Sequence, residues 1–311
     1  MGVGLSLITV YWLIATTDWQ KTWNALSLAN YWLVLIAILL AWGTILMRTM
    51  RWRLLFPADN APRLGQLTAV LLIGQAINII APARAGDVAK ATLVGSEPAA
   101  FVLGTIVVQS ALELIMLAGF TTFLLFQLSL PTWWRDSGQA LLFTTLFLLL
   151  LGLIFVVGNQ KIMQLITAVN QRWPHRIGQR VARLLAEFMR SVKMLNAATI
   201  IYTLLWSLAI WLVYGLINYI LLLAVHAPPS WLASFFLLVV LQLGIAVPSS
   251  PGRIGVYHYL SVQSLAVFAI EGATAVSFAI ILHFISIILP IILGAVLAWQ
   301  MNIKLSTSQQ S

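Results

Sequence analysis

Residues 79–90 read Ile-Ile-Ala-Pro-Ala-Arg-Ala-Gly-Asp-Val-Ala-Lys, so a proline and three charges interrupt an otherwise apolar run. An ionisable side chain at membrane depth costs at least about 2.5 kcal/mol, and such side chains usually mark the path of a substrate or an ion. Arg84, Asp87 and Lys90 are therefore candidate functional residues, with Arg84 and Asp87 as mutual partners. An ordinary loop at the bilayer surface is the alternative interpretation.

The composition around this stretch is that of an integral membrane protein. Of the 311 residues, 61% are hydrophobic and only 8% are charged, whereas an average soluble domain has about 25% charged residues. No polar block is long enough to fold separately, which predicts a single membrane domain over residues 1–311. The chain has no cysteine, and its four histidines lack metal-ligand spacing, so we expect no metal and no cofactor.

The net charge of +9 comes largely from two segments between apolar runs, at residues 48–63 and 161–193. Clustered Lys and Arg are typical of cytoplasmic loops, so the pattern indicates membrane topology and anionic lipid contacts rather than nucleic acid. Both termini are then cytoplasmic, in the plasma or inner membrane of the cell. Residues 160–195 form a predicted basic amphipathic helix, lying on the cytoplasmic leaflet or against a protein groove with Glu187 pairing its arginines.

The number of membrane crossings constrains the fold. Between the two basic segments the count must be even, yet three apolar runs lie there, at residues 67–80, 99–130 and 140–157. The first is the shortest, which predicts a re-entrant hairpin from the cytoplasm with its tip at 81–87, buried in protein or lining a wet cavity. The other predicted full spans are residues 2–17, 31–47, 199–225 and 273–299.

A second interruption, Pro-Ser-Ser-Pro-Gly-Arg-Ile-Gly at 248–255, separates the apolar runs 231–247 and 256–270. It predicts a second hairpin, entering from the outside, and each hairpin carries a glutamine six or seven residues before a proline. Broken helices at corresponding positions of two inverted halves are typical of transporter sites. We therefore predict an all-α polytopic bundle of about six full spans and two re-entrant broken-helix hairpins, arranged as an inverted repeat. The predicted turn residues are Asn78, Pro82, Gly86, Pro248, Pro251, Gly252 and Gly255.

Two arginines, Arg84 and Arg253, are suited to a phosphate because a guanidinium presents a planar fork to its oxygens. Glu113 lies far from any loop, and we expect it to pair with an arginine or to be protonated. A purely structural salt bridge is the alternative for the first cluster. The predicted substrate-binding residues are Arg84, Asp87, Lys90, Glu113, Arg253 and His258. No catalytic constellation is recognisable, so we do not expect an enzyme.

These motifs resemble the transmembrane region of lysylphosphatidylglycerol synthases and the stand-alone flippase-like membrane proteins. The resemblance rests on Arg-Thr-Met-Arg-Trp-Arg at 48–53, on Asn78 with the motif at 82–87, on Glu113, and on the motif at 248–255. The family usually has Glu at 87, Arg at 90, Gly at 253 and Glu at 258. The given sequence lacks a soluble aminoacyl-transferase domain, so lysyl transfer is not expected.

The resemblance implies translocation or binding of a lipid with a polar head, in partnership with glycosyltransferases or other cell-envelope enzymes. The ligand is then a membrane phospholipid or a lipid-linked saccharide, and homo-oligomer formation stays open. We hypothesise a flippase that holds an anionic headgroup between the two hairpins. The alternatives are an accessory subunit or transferase acting on a lipid-linked substrate, and a small-solute transporter.

The orientation of the first hairpin is testable because the chain contains no cysteine. In sealed vesicles of known sidedness, we expect a thiol introduced by Arg84→Cys to react with an impermeant maleimide from the cytoplasmic side. Arg253→Cys serves as the matched position on the second hairpin. Reaction of position 84 solely from the outside would contradict the predicted orientation.

Overall fold

The computed structural model describes residues 2–81, 84–128, 139–140, 142–147, 150, 164, 176–244 and 250–301. Every extended regular element in these residues is a helix. The α-helices are α1 Gly2–Thr16, α2 Trp19–Ser27, α3 Tyr31–Arg53, α4 Leu64–Ile80, α5 Ala85–Leu93, α6 Ala99–Gln127, α7 Arg176–Lys193, α8 Ala197–Ala224, α9 Trp231–Gly244, α10 Val256–Ala266, α11 Gly272–His283 and α12 Leu289–Gln300.

Four helical segments in the described residues are long and apolar enough to cross a membrane. They are α3, α6, α8 and the continuous run Gly272–Gln300, in which α11 and α12 are joined by a π-helical turn at Phe284–Ile288. The prediction of an all-α polytopic membrane protein is thereby confirmed. Of the two other predicted spans, one is α1, with 15 residues, and residues 140–157 lie almost entirely outside the described part of the chain.

Two element boundaries differ from the sequence-based expectation. The segment between the predicted spans 2–17 and 31–47 contains α2, and the Asp18 carboxylate caps its first turn by accepting the backbone N–H of Lys21. Helix α3 continues to Arg53 instead of ending near residue 47. The arginines that the positive-inside rule places in a loop therefore lie in the last turns of α3. A guanidinium is tolerated inside a helix bundle when it has a buried partner.

The first predicted hairpin is a pair of packed helices, α4 and α5. The 17 residues of α4 span about 26 Å, less than the roughly 30 Å of a hydrocarbon core. Gly86 of α5 sits directly against the Gly74 carbonyl and the Asn78 side chain of α4, where a Cβ atom would clash. The predicted turn residue Pro82 lies outside the described residues.

The second predicted hairpin pairs α9 with α10 through a short 3₁₀ turn at Pro251–Arg253. Its predicted turn residue Pro248 lies outside the described residues. Helix α4 contacts the Pro251–Arg253 turn, so the two broken helices meet inside the protein. Their entry from opposite membrane sides, which the inverted repeat requires, stays a prediction.

The remaining helices hold the hairpins in place. Helix α12 packs on α4, where Gly294 lies against Ala76 and the Leu72 carbonyl, and α3 packs mainly on α8. The largest apolar core cluster joins α3, α8, α10 and α11, while a smaller one gathers around Trp52 and Phe101 beneath α4 and α6.

The described part of the predicted amphipathic segment is α7, which packs on α6. Arg190 bonds Glu97 and Glu187, and its guanidinium lies 4.4 Å from the centre of the Phe101 ring. One arginine of the helix therefore faces protein. Contact of the other arginines with the cytoplasmic leaflet stays a prediction.

Gly86→Ala is expected to destabilise the protein by about 1 to 3 kcal/mol, because the new methyl group forces α5 away from α4. Gly119→Ala is the matched control, since Gly119 lies within α6 with no atom near its missing Cβ. That change should be neutral or stabilising by up to about 1 kcal/mol. Reversible unfolding in detergent measures both, and equal effects would contradict the close packing of the hairpin.

Candidate functional site

A cavity of about 360 Å³ lies where the two hairpins meet. Its walls come from helices α3 to α6 and α8 to α12, together with the Pro251–Arg253 turn and the π-helical turn. Much of the wall is aliphatic, with polar side chains projecting from several helices. The polar and charged lining residues are Thr44, Arg48, Gln75, Asn78, Lys90, Glu113, Tyr214, Asn218, Gln242, Arg253, Tyr257 and Ser286.

Cations outnumber carboxylates in this wall. Of the described lining residues, Arg48, Lys90 and Arg253 are cations, and Glu113 is the one carboxylate. Arg48 donates to the Gln75 side-chain oxygen at 2.9 Å. Within the described part of the chain, neither Arg48 nor Arg253 forms an ion pair. The cavity therefore presents two uncompensated positive charges.

In the first hairpin, the partner of Asp87 is Lys90, not Arg84 as expected. The Lys90 ammonium lies 2.6 Å from Asp87 Oδ1, and Asn78 Nδ2 donates to the same oxygen at 2.9 Å. This geometry follows from helix periodicity, because residues 87 and 90 are one turn apart on α5. Asp87 thus holds the Lys90 side chain while remaining outside the cavity wall.

Arg84 precedes α5 in the left-handed conformation, with φ 54° and ψ 37°, and its side chain is exposed. Arg253 adopts a similar backbone conformation, with φ 56°. A left-handed non-glycine residue costs about 1 to 2 kcal/mol, and such strain is concentrated at functional sites. The two arginines lie within electrostatic range of each other, but only Arg253 lines the cavity.

The turn that carries Arg253 is held from two sides. The Ser250 backbone N–H donates to Ser6 Oγ of α1 at 2.9 Å, and His283 Nε2 lies 2.9 Å from the Gly252 carbonyl oxygen. Gly252 and Gly255 have φ values of 72° and 88°, which residues other than glycine rarely adopt. These contacts fix the left-handed turn and orient it toward the cavity.

Glu113 pairs with an arginine, one of the two states expected for it. Its Oε1 lies 2.6 Å from Arg51 Nη2, and its Oε2 accepts the Trp211 indole N–H at 2.8 Å. Arg51 Nη1 also donates to Ser207 Oγ at 2.7 Å. Arg51 is only 1% exposed, whereas Glu113 is 34% exposed through its position on the cavity wall. The pair joins α3, α6 and α8.

His258 does not line the cavity, although its neighbour Tyr257 does. The His258 ring packs on His283, with 4.6 Å between ring centres, and its buried Nδ1 has no hydrogen-bond partner in the described structure. The structure therefore brings Lys90, Glu113 and Arg253 together in one wall. It places Arg84, Asp87 and His258 around that wall.

Sequence reasoning missed Arg48, Gln75 and Gln242 as site residues. Helical spacing carries a usable signal for Gln75, because it lies three residues before the predicted turn residue Asn78 and shares a face of α4 with it. The cluster of cations to which Arg48 belongs predicts a cytoplasmic loop, because composition alone does not distinguish the end of a helix from a loop.

These features define the class of protein: a polytopic helical membrane protein in which two broken-helix hairpins enclose a partly polar, cationic cavity. Residues 1–294 match the family model described as the lysylphosphatidylglycerol synthase TM region, and the chain belongs to this family. The family points to a lipid-related function in the membrane. The chain matches no curated protein and no solved structure.

Glu113→Ala is expected to destabilise the protein by about 3 to 5 kcal/mol, because it leaves the buried Arg51 guanidinium without its counter-charge. Combining it with Arg51→Met should recover at least half of that loss, since the charge needing a partner is then absent. Unfolding in detergent of both single variants and the double variant gives the coupling free energy. Additive losses would show that the two side chains do not interact.

Proposed function

We propose that this protein is a flippase-like lipid translocase whose cavity binds the anionic, phosphate-containing headgroup of a membrane lipid. The single observation that carries the proposal is the pair of uncompensated cations, Arg48 and Arg253, in the wall of a cavity between membrane helices. Charges in a low-dielectric interior need a counter-charge. A phosphate supplies that charge and accepts hydrogen bonds from both guanidinium groups.

The arrangement of the cavity supports this assignment over binding of a cationic ligand. Among the described residues, its one lining carboxylate, Glu113, already has both oxygens bonded, to Arg51 and to Trp211. Lys90 adds a third positive charge, partly compensated by Asp87. The electrostatic potential inside the cavity is therefore positive, which favours an anionic ligand over a cationic one.

Translocation, in addition to binding, is proposed because two helix pairs, α4 with α5 and α9 with α10, both contribute to the cavity wall. Among the element contacts described, the two pairs touch each other only through α4 and the Pro251–Arg253 turn. Broken helices around a midplane site are the arrangement by which transporters expose a site to alternate sides. In this proposal the headgroup is held while one hairpin tilts against the other, and the lipid leaves on the opposite side.

The test is movement of fluorescent phosphatidylglycerol across the bilayer of vesicles containing the purified protein. We expect Arg253→Gln and Arg48→Gln each to slow this movement about tenfold or more, because a hydrogen bond to a charged group contributes about 1.5 to 3 kcal/mol. Arg63→Gln is the control, since Arg63 is an exposed cation outside the cavity. Arg84→Ala should have a smaller effect than Arg253→Gln, since Arg84 lies outside the wall.

Two results would contradict the proposal. One is an absence of accelerated lipid movement with the wild-type protein in vesicles where its correct folding has been checked. The other is accelerated movement that is the same for wild type and for both cavity variants. Product formation from a lipid-linked precursor by the purified protein alone would instead support a transferase.

A further inference from the structure

Two histidines from different helices lie together behind the turn that carries Arg253. His258 belongs to the first turn of α10, and His283 is the last residue of α11. Their ring centres are 4.6 Å apart, with an angle of 36° between the ring planes. The two side chains are called here the histidine pair. Neither of them lines the cavity, and the proposed lipid site does not use them.

The hydrogen bond from His283 fixes which of its nitrogens carries a hydrogen atom. Its Nε2 lies 2.9 Å from the Gly252 carbonyl oxygen, and a carbonyl oxygen only accepts hydrogen bonds. Nε2 must therefore be the donor, so the neutral ring has its lone pair on Nδ1. Protonation at Nδ1 leaves the bond to Gly252 intact, because Nε2 donates in both states. His283 thus gains a proton without releasing the turn.

His258 contributes a second ring with a nitrogen that has no partner. Its Nδ1 is buried and, in the described structure, forms no hydrogen bond. A buried polar atom without a partner is uncommon in proteins and needs an explanation, such as a catalytic or ion-binding role. Imidazole is also the side chain whose charge changes most readily near neutral pH. The pair therefore offers two rings to one proton, since like charges on both rings repel each other.

The surroundings of the histidine pair contain no compensating carboxylate among the described residues. The elements packed against α10 and α11 include α1, α2, α8, α9 and the π-helical turn. The ionisable residues of these elements, of the two helices with their N-caps and of the Pro251–Arg253 turn are Tyr11, Asp18, Lys21, Tyr202, Tyr214, Tyr219, Arg253, Tyr257, Tyr259 and Glu271. Asp18 pairs with Lys21, and Glu271 precedes α11 at the end opposite to His283. Neither histidine forms an ion pair in the described part of the chain.

Tyr257 links the histidine pair to the cavity. It lines the cavity wall, and its ring centre lies 5.3 Å from that of His283 and 6.4 Å from that of His258. Tyr257 and Arg253 lie within electrostatic range of each other. The pair is surrounded by the largest apolar core cluster, and charges interact strongly in such an interior. An anion in the cavity therefore acts electrostatically on the pair.

Two positive charges act on the histidine pair from the turn. His258 lies in the first turn of α10, where the helix dipole places partial positive charge. Arg253 follows Gly252, the residue that His283 bonds, and it has no ion-pair partner among the described residues. An anion bound to Arg253 offsets this positive charge and attracts a proton. Binding of the anion and binding of the proton therefore favour each other, by linkage.

We propose that the histidine pair is a proton-binding site, and that one proton on the pair and an anion at Arg253 bind cooperatively. The proton comes from water and binds the lone pair of an imidazole nitrogen, so the pair gains one positive charge and no bond of the protein breaks. This inference rests on the proposed function, which places an anion at Arg253, and it adds a coupled ion. Lipid binding then responds to pH, and a pH difference across the membrane biases lipid movement.

Calorimetry of lipid binding tests the coupling. Purified protein in detergent is titrated with dihexanoyl phosphatidylglycerol, whose phosphodiester, unlike a phosphomonoester, keeps its charge between about pH 5.5 and 8. The heats measured in two buffers of different ionisation enthalpy give the number of protons taken up per lipid. For wild type we expect about 0.3 to 1 proton at about pH 6, and a dissociation constant that rises about two- to tenfold per pH unit between about pH 5.5 and 7.

Glutamine replacements distinguish proton binding from a structural role of the pair. A glutamine amide at position 283 still donates to the Gly252 carbonyl, but it binds no proton in this pH range. We expect His258→Gln and His283→Gln each to reduce proton uptake, and the double variant to take up less than about 0.1 proton per lipid. His226→Gln is the matched control, since His226 Nε2 also contacts a backbone carbonyl, that of Leu28 at 3.0 Å, and lies outside the cavity wall. Its proton uptake should equal that of wild type.

The outcomes distinguish this inference from the proposed function. Proton uptake that is present in wild type and lost in the double variant supports the coupling, and it does so even when no lipid moves in vesicles, a result that removes translocation alone. Tight lipid binding without proton uptake by wild type, or with equal uptake by the double variant, would overturn the coupling and leave the lipid site in place. If the double variant does not fold, uptake equal to wild type in both single variants overturns the coupling. Absence of lipid binding contradicts the proposed function and this inference together.

Discussion

The ion pair between Arg51 and Glu113 joins three helices in the interior, and the architecture of the cavity depends on it. A guanidinium that is 1% exposed needs a counter-charge, and Glu113 of α6 provides it while Trp211 of α8 bonds the second carboxylate oxygen. Because both oxygens of Glu113 are occupied, its charge no longer neutralises the other cations nearby. The same pair that stabilises the bundle therefore leaves the cavity electropositive.

The cations at the two hairpin tips, Lys90 and Arg253, are held in place in different ways. Asp87 stabilises Lys90 and bonds Asn78, so the first hairpin carries its own counter-charge. The second hairpin has none among the described residues, and its Arg253 is held by backbone geometry, with Ser6 and His283 fixing the turn from either side. A left-handed arginine in a doubly anchored turn is kept in one position at the expense of local strain. That position lies in the cavity wall.

An apolar surface and a polar cavity meet at one residue, Trp42. The requirement that lipid-facing helices be apolar and the requirement that a headgroup be solvated by polar side chains conflict wherever a site opens to the bilayer. In this protein α3 packs mainly on α8 and also contacts α4 and the π-helical turn, whereas α12 packs mainly on α4.

The sequence by itself determined that the chain is a helical membrane protein, that its helices are broken at two polar interruptions, and that Glu113 needs a partner. These conclusions depend on composition, on the spacing of apolar residues and on charge, which are local properties of the sequence. The tertiary structure alone decided that Glu113 pairs with Arg51, that Lys90 and not Arg84 pairs with Asp87, and that Arg48 faces the cavity. Those outcomes depend on which helices pack together. A residue 62 positions away in the chain is then the nearest counter-charge, and no pattern in the sequence encodes that distance.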